Sequence, residues 1–209
     1  MTHATAVSTD DYAPAERAPV WRDWVWKQFG GLDCDLYGDT HFDGHMASMR
    51  AGDIILTRLA ANRHHVTRTA DMVRASEEGY LKIVAPNLGR AGVEQMGRQA
   101  WVTPGAWTLY DTTGSYSVAN PDRVEHLIVM LPKAQMLERG LRLENLTART
   151  VGGASGIARV ALSTMRSTFQ ELPHMSADAA RGAGELIAQL VRLSLIELSG
   201  QETQLTQRE

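Results

Sequence analysis

Residues 62–69 contain two histidines and two arginines, and three of these four residues have spacings suited to binding a small polar group. Alternate side chains of a β-strand point to opposite faces, so His64 and Arg68 would share one face and His65 would lie on the other. An imidazole and a guanidinium can bind a carboxylate or a phenol. We predict that His64 or His65, together with Arg68, contacts a ligand; a structural ion pair is the alternative for Arg68.

Aromatic residues further along the chain are candidates for the walls of the same pocket. Ligand pockets are mostly apolar and carry a few oriented polar groups. The predicted walls are Trp107, Tyr110 and Tyr116, with plain core packing as the alternative for each.

Metal chemistry of the cupin type needs two histidines two residues apart, a nearby carboxylate and a later histidine on a returning strand. The candidates are His41 with His45, and His64 with His65 plus His126. The first pair is four residues apart in a turn-like segment, and the second pair is adjacent and would point to opposite faces. Because neither spacing suits a metal, we predict no metal and no cofactor.

Nucleophilic catalysis is disfavoured for a similar reason. No serine has a recognisable nucleophile context, and the single cysteine, Cys34, lies between Asp33 and Asp35, which disfavour its thiolate. One cysteine also excludes an internal disulfide framework, and the first thirty residues lack a secretion signal. We therefore predict a cytoplasmic protein that is not an enzyme.

Composition and charge restrict the possible partners. The 209 residues are 44% hydrophobic, which suits one domain with an appended helical module. The net charge is -3 and no basic stripe is present, so this chain alone is not expected to bind DNA. The most apolar run, residues 186–198, contains charged residues and is shorter than the roughly 20 residues needed to cross a bilayer.

The elements that would position these residues are mostly short strands. Between about Leu36 and Pro132, turn residues recur about every eight to twelve positions, as in a barrel or sandwich. The predicted strands are residues 42–50, 53–57, 63–69, 80–85, 92–96, 99–102, 107–111, 115–118 and 124–131. The small and acidic residues 70–79 predict a helical turn between two of them.

The N-terminal part shows a change of pattern. Residues 1–19 have no apolar period and are predicted to be a mobile lead-in. Apolar spacing over residues 21–29 predicts a short helix that ends at Gly30 and Gly31. Its three tryptophans either close over an aromatic ligand or fasten the helix to the sheet; they are Trp21, Trp24 and Trp26.

After Pro132 the apolar period is helical. A short helix is expected at residues 135–139, followed by long helices at 156–172 and 176–198, the second ended by Gly200. The last helix has more apolar positions than one contact face requires, so it either contacts a second subunit or is buried within its own domain. The predicted dimer contacts are Leu186, Leu190, Leu193 and Glu197.

A set of motifs from residue 93 to residue 133 resembles the ligand-binding domain of AraC/XylS-type transcription regulators. The matching residues are Val93, Gln95, Gly97, Arg98 and Ala100, then Pro104 and Gly105, then Tyr110, Asp111 and Tyr116, and finally Leu131, Pro132 and Lys133. Ala106 and Ser115 depart from the family pattern. Arg98 is assigned a structural role, bridging its hairpin to a neighbouring strand.

The resemblance implies an α+β fold, a cupin-like jelly-roll β-barrel with a short N-terminal helix and a C-terminal pair of antiparallel α-helices. It divides the chain into a lead-in at 1–19, an effector-binding barrel at 20–134, a helical dimerisation module at 135–200 and the start of a linker at 201–209. The implied protein is a homodimeric bacterial regulator that senses a small catabolic molecule, with aromatic compounds as one class. It would contact DNA only through a helix-turn-helix domain absent from this chain; a cupin-like metalloenzyme is the alternative.

Overall fold

The computed structural model describes residues 4–74, 79–137, 142–152 and 155–206. The strands are β1 (Thr5–Ser8), β2 (Asp33–Asp35), β3 (Gly44–Ala51), β4 (Ile54–Ala61), β5 (His64–Arg68), β6 (Tyr80–Leu88), β7 (Ala91–Gln95), β8 (Arg98–Val102), β9 (Ala106–Asp111), β10 (Tyr116–Asn120), β11 (Val124–Pro132) and β12 (Thr150–Gly152). The helices are α1 (Pro14–Phe29), α2 (Ala70–Arg74), α3 (Ala134–Leu137), α4 (Ile157–Glu171) and α5 (Ala177–Thr206).

The strands form two antiparallel sheets that enclose a barrel. The larger sheet has the order β1-β3-β4-β11-β6-β9-β12, and the smaller has the order β2-β5-β10-β7-β8. Each of the nine predicted strands has a counterpart among β3 to β11. The predicted class, a cupin-like α+β barrel with flanking helices, is confirmed.

The larger sheet is buried on both faces, because its alternate side chains enter two different cores. In β6, for example, Leu81 and Ile83 belong to the core shared with α4 and α5, whereas Val84 belongs to the barrel interior. A strand buried on both faces reads as a nearly continuous apolar run. The one charged side chain in the middle of β6, Lys82, interrupts this apolar run. It is buried in the wall of the barrel.

The predicted mobile lead-in over residues 1–19 is wrong for the part that the structure describes. Strand β1 pairs with β3, with Thr5 opposite Ser48, so its backbone hydrogen bonds are satisfied by the sheet. Helix α1 begins at Pro14 rather than near residue 21. Proline suits the first helical position, and the Ala13 amide donates to Oε2 of Glu16 at 3.3 Å.

The C-terminal helices α4 and α5 pack against each other and on the outer face of the larger sheet. The indole N–H of Trp107 donates to the carbonyl oxygen of Ala158 at 3.1 Å, which ties β9 to α4. Helix α5 continues through Gly200 to Thr206, so the predicted stop at Gly200 and the linker starting at 201 are corrected. A glycine within a helix costs only about 1 kcal/mol relative to alanine, which does not end a helix by itself.

A helix that crosses a membrane is roughly 20 residues long and mostly apolar. In the ranges that the structure describes, each helix is too short or too polar to cross a bilayer.

Candidate functional site

A cleft of about 1080 Å³ opens at one mouth of the barrel. The last turn of α1, from Trp26 to Gly31, lies over one side of it, and β3 contributes Ser48, Met49 and Arg50. The remaining lining residues come from the other barrel strands and the segments that follow them: Ile55, Arg68, Met72, Tyr80, Lys82, Thr112 and Met130, with Thr5 from the N-terminal strand. The volume is at the upper end of ordinary ligand pockets, which hold roughly 300–1,000 Å³.

The end of α1 determines the shape of the cleft entrance. Gly30 and Gly31 both have left-handed backbone conformations, with φ of 75° and 79°, and the helix ends there. The left-handed region is available to glycine without steric cost. The turn directs the carbonyl groups of Phe29, Gly30 and Gly31 toward two basic side chains of the barrel.

The first of these basic side chains is Lys82, which is 1% exposed. Its Nζ donates to the carbonyl oxygen of Phe29 at 2.7 Å and to the hydroxyl of Tyr116 at 3.2 Å. It also lies 5.0 Å from the centre of the Phe29 ring. Burial, reinforced by the positive charge of Arg68, lowers the pKa of Lys82 well below its usual value.

The second basic side chain is Arg68, which is 2% exposed. Its Nε donates to the carbonyl oxygen of Thr112 at 3.0 Å. Its Nη1 donates to the carbonyl oxygens of Gly31, at 2.9 Å, and of Gly30. Arg68 thus binds main-chain oxygens on both sides of the cleft, and its described partners include no carboxylate.

Tyr110 and Tyr116 form an aromatic pair beside Lys82, with ring centres 4.6 Å apart. Burial raises the pKa of both phenols, so both hydroxyls are protonated at neutral pH. Tyr116 accepts a hydrogen bond from Lys82 and packs in the barrel core behind this lysine. Tyr110 lines a smaller cavity of about 30 Å³ behind it, from which Phe29 and Lys82 separate the open cleft.

A buried polar chain crosses this inner cavity. Asn120 bonds to Nε2 of His64 at 3.1 Å through its amide nitrogen and to Nε2 of His126 at 2.8 Å through its amide oxygen. His64 Nδ1 lies 2.7 Å from the carbonyl oxygen of Asn62. Burial lowers the pKa of His64 to about 4 and that of His126 to about 3, so both rings are neutral at pH 7.

The structure brings four of the six predicted ligand-binding residues to the barrel interior. Arg68 lines the cleft, His64 and Tyr110 line the inner cavity, and Tyr116 lies in the barrel core, where it accepts from Lys82. His65 points to the opposite face of β5, as the alternation requires. Trp107 also lies away from the cleft, because its position in β9 faces α4. Those two placements do not fit the predicted ligand contacts.

The three tryptophans of α1 have different environments. Trp21 is fully buried and packs on Phe42 at 5.2 Å between ring centres, and Trp24 packs against Trp21 and Tyr12. These two fasten the helix to the barrel. Trp26 is 51% exposed and lines the cleft, so it alone of the three is available to a ligand there.

Other residues singled out in the sequence have structural roles. Arg98 donates from Nε to the carbonyl oxygen of Thr147 at 3.0 Å, so it is structural as predicted, although its partner lies in a loop rather than in a neighbouring strand. Asp111 caps its turn by accepting from the Thr113 amide at 2.8 Å. Burial raises the pKa of the Cys34 thiol to about 12, and the flanking aspartates add to this effect.

Of the histidines considered as metal ligands, His64 and His126 meet at Asn120, whereas the others lie elsewhere. His45 lies near Asp10 and Asp43 on the surface, and this is the one group in the described ranges whose ligand atoms lie close enough to share an ion. Asp43 is already paired with the guanidinium of Arg123 at 2.5 Å. His41 instead contacts Thr40 at 3.0 Å.

The predicted dimer contacts lie on α5. Leu186 and Leu193 are about half exposed, at 49% and 47%, and Ile196 at 49% extends the same side of the helix. Leu190 is partly buried against the core between sheet and helices, and Glu197 is exposed. The outward apolar row therefore consists of Leu186, Leu193 and Ile196.

Two residues of the barrel interior were missed by the sequence reasoning. Lys82 is central to the cleft, and its signal was a lysine within the apolar run of β6. Asn120 joins the two buried histidines, but it reads in the sequence only as part of an Asn-Pro-Asp turn. Nothing local to position 120 indicates that its side chain points inward.

Comparison with known proteins agrees with this architecture. Residues 21–196 match a family described as the AraC-binding-like domain. A protein named "Uncharacterized protein in nit 5'region", from Bacillus sp. (strain OxB-1), is 25% identical over 197 residues, which cover 94% of this chain and 76% of that protein. The transcriptional activator NphR of Rhodococcus sp is 29% identical over 146 residues, 68% of this chain and 42% of NphR.

Among solved structures, the AraC-like transcriptional activator CuxR has a similar fold, with a TM-score of 0.80 at 16% identity over 94% of this chain and 70% of that one. The match to the family model extends over most of the described residues. The chain belongs to the family of AraC-binding-like domains, and the resemblance inferred from its motifs is confirmed.

Proposed function

We propose that this chain is the effector-sensing domain of a bacterial transcription regulator and that the effector binds in the cleft under the end of α1. The observation that carries this proposal is the 1080 Å³ cleft in a domain of this family, lined by apolar side chains together with polar and basic groups that can orient a ligand. Effector binding would change how an attached DNA-binding domain is presented. A ligand achieves such a change only by binding one arrangement more tightly than the other.

A thermal-shift screen of the chain against aromatic acids, phenols, amines and sugars tests the proposal. A true effector at about 100 times its dissociation constant adds about 2.7 kcal/mol to the free energy of unfolding. The variant Ile55→Trp places a large side chain in the cleft and is expected to abolish the shift. The matched control, Leu88→Trp, lies at an exposed position outside the cleft and should respond like the wild type. A hit that survives Ile55→Trp would place the site elsewhere.

The same sample separates this function from the alternative of a cupin-like metalloenzyme. That alternative requires a stoichiometric metal in the active protein. Measuring iron, zinc and manganese in the purified chain by mass spectrometry decides between them. A tightly held metal, together with an empty effector screen, would favour the enzyme.

We further propose that the chain forms a homodimer through the apolar row of α5. Three large side chains at spacings of seven and three residues form a stripe along one side of a helix. A stripe of this kind fits a second copy of the same helix. The row lies on the side of α5 that the barrel does not cover.

The double variant Leu186→Glu/Leu193→Glu is expected to weaken the dimer at least about hundredfold, because each buried leucine contributes about 1.5–3 kcal/mol. Sedimentation velocity over a concentration series measures the effect. Leu190 is left unchanged, since it packs partly against the core and a charge there would damage the fold. The control, Met96→Glu, alters an equally exposed apolar side chain on the β7–β8 hairpin. A double variant that sediments like the wild type would show that α5 is not the interface.

A further inference from the structure

The charge of the cleft is one-sided. The protein carries a net charge of -3, yet among the residues that the structure describes the charged ones that line the cleft are all basic: Lys27, Arg50, Arg68 and Lys82. Lys27 has a carboxylate partner, Asp23, at 2.6 Å. The other three have no carboxylate within 4.0 Å in the ranges that the structure describes. The described lining of the cleft therefore offers cations and no carboxylate to a ligand.

Two of these cations, Arg68 and Lys82, are almost completely buried. A buried charge is costly unless an opposite charge or several hydrogen bonds compensate it. Here the compensation comes from main-chain oxygens: Phe29 for Lys82, and Gly30 and Gly31 for Arg68 Nη1.

The three carbonyl groups all belong to the C-terminal end of α1. The last carbonyls of a helix lack partners within the helix and carry roughly half a negative charge together. The end of α1 thus occupies the place of an anion. Since it is joined to the rest of the chain through Gly30 and Gly31, both in the left-handed region, the turn can change direction without side-chain strain.

The other residues of the cleft indicate the chemistry of the rest of the ligand. Thr112 holds Arg68 through Nε, which leaves Nη1 of Arg68 and Nζ of Lys82 as the donors that face the helix end. Two donors from two side chains match the two oxygens of a carboxylate. The walls around them are apolar or aromatic: Trp26, Ile55, Met72, Tyr80 and Met130.

We infer that the effector is a small organic acid with an apolar or aromatic body, and that its carboxylate binds Lys82 Nζ and Arg68 Nη1 in place of the carbonyls of Phe29, Gly30 and Gly31. This inference rests on the proposed sensor function. When the acid binds, the full negative charge of its carboxylate replaces the partial negative charge of the helix end beside Lys82 and Arg68. The end of α1 is thereby released from the barrel mouth, and the bound acid becomes the contact that holds Arg68 and Lys82.

Calorimetric titration with matched acids and amides tests the inference. The probes are benzoate and 3-phenylpropionate against benzamide and 3-phenylpropionamide, together with any acid found in the screen and its primary amide. The acids are expected to bind at least about tenfold more tightly than the amides, since a charge-assisted hydrogen bond is lost in each amide. Ligands that bind equally as acid and amide, or only neutral hits, would overturn the anion site but leave the sensor function standing. No binding by any compound would remove both.

Variants locate the carboxylate. Lys82→Met keeps the length of the side chain without its charge and is expected to weaken the acid at least about tenfold. The control, Arg58→Met, removes an exposed cation outside the cleft that is paired with Glu125 at 2.5 Å, and it should change affinity less than about threefold. Because the loss of a buried lysine can disturb folding, the far-UV circular dichroism and the unfolding midpoint of Lys82→Met are first compared with those of the wild type. Arg50→Met is a second cleft variant, and it leaves both Arg68 and Lys82 in place.

Hydrogen exchange tests the release of the helix. The amides of Gly30 and Gly31 both donate to the carbonyl oxygen of Trp26. Saturating acid should speed their exchange in a peptide covering residues 26–31 and leave peptides from β9 unchanged. Slower exchange at residues 26–31 would show that the acid binds without displacing the turn, and would overturn the exchange of carbonyls for carboxylate.

Discussion

The Gly184→Ala variant should lose about 3 kcal/mol of unfolding free energy, because overpacking at a rigid contact costs 1–3 kcal/mol and occasionally more. A Cβ atom at position 184 would overlap the carbonyl oxygen of Ala51 and lie 2.9 Å from its carbonyl carbon. Both contacts are with backbone, which cannot rotate away. Helix α5 would have to move from the end of β3. Urea denaturation at pH 7.5 measures the loss.

Gly182→Ala is the matched control two residues earlier in the same helix. A Cβ atom there meets nothing within 4 Å, and the position is exposed. Alanine is the better helix former, so this variant should gain up to about 1 kcal/mol. The two variants make the same chemical change with opposite expected signs. If Gly184→Ala were as stable as Gly182→Ala, α5 would not be seated on β3 as described.

Acid is expected to destabilise the domain through His64 and His126. Their pKa values of about 4 and 3 in the fold lie below the ordinary value of 6.5, mainly because both are buried. The unfolded chain therefore binds more protons below pH 6.5 than the fold does. The stability is complete above about pH 6.5 and falls as the pH drops toward 4 and then 3. At pH 5 the two histidines together cost about 4 kcal/mol, at about 1.4 kcal/mol per pH unit for each.

The slope of unfolding free energy against pH, measured by urea denaturation between pH 7 and pH 5, isolates this effect. His126→Gln should reduce the slope by about 1 kcal/mol per pH unit averaged over this range, whatever its effect on stability at pH 7. His174→Gln removes an exposed histidine and should leave the slope unchanged. An unaltered slope in His126→Gln would mean that this ring is not held neutral in the fold.

Strand β3 gives the cleft a direct physical connection to the helical pair. Ser48, Met49 and Arg50 line the cleft, and the next residue, Ala51, is the one that Gly184 of α5 contacts. A shift of this strand on ligand binding would therefore be transmitted to α5 by contact with a rigid backbone. In the proposed regulator, α5 also carries the apolar row that meets the second subunit. The Gly184 pair of variants thus probes the connection as well as the packing.

Much of the barrel was predictable because its signals are local. Turn residues divide the apolar segments, and the period of two within each segment follows from the geometry of a single strand. The same locality explains why His64 and Arg68 could be placed on one face and His65 on the other. The motifs from Val93 to Lys133 added the family, since they reflect the same hairpins and turns.

The predictions that failed depended on contacts between distant segments. Residues 5–8 have no apolar pattern, and they form a strand only because the edge of β3 is available to pair with them. Trp107 and Tyr110 are three residues apart in one strand and therefore point to opposite faces, Trp107 into the core shared with the helices and Tyr110 into the barrel interior. A sheet covered on both sides has two interiors, and the sequence of one strand does not say which of them holds the ligand.

What the sequence determined by itself was therefore the order and type of most elements, the family of the domain and one polar residue of the cleft, Arg68. The tertiary structure alone decided which residues meet at the candidate site. Lys82 lies in β6 of the larger sheet and Arg68 in β5 of the smaller one, and closing the barrel brings these two cations to the same helix end. These two like charges lie close together because both donate to the partially negative carbonyl oxygens at the end of α1. Spacing along the chain does not predict this arrangement.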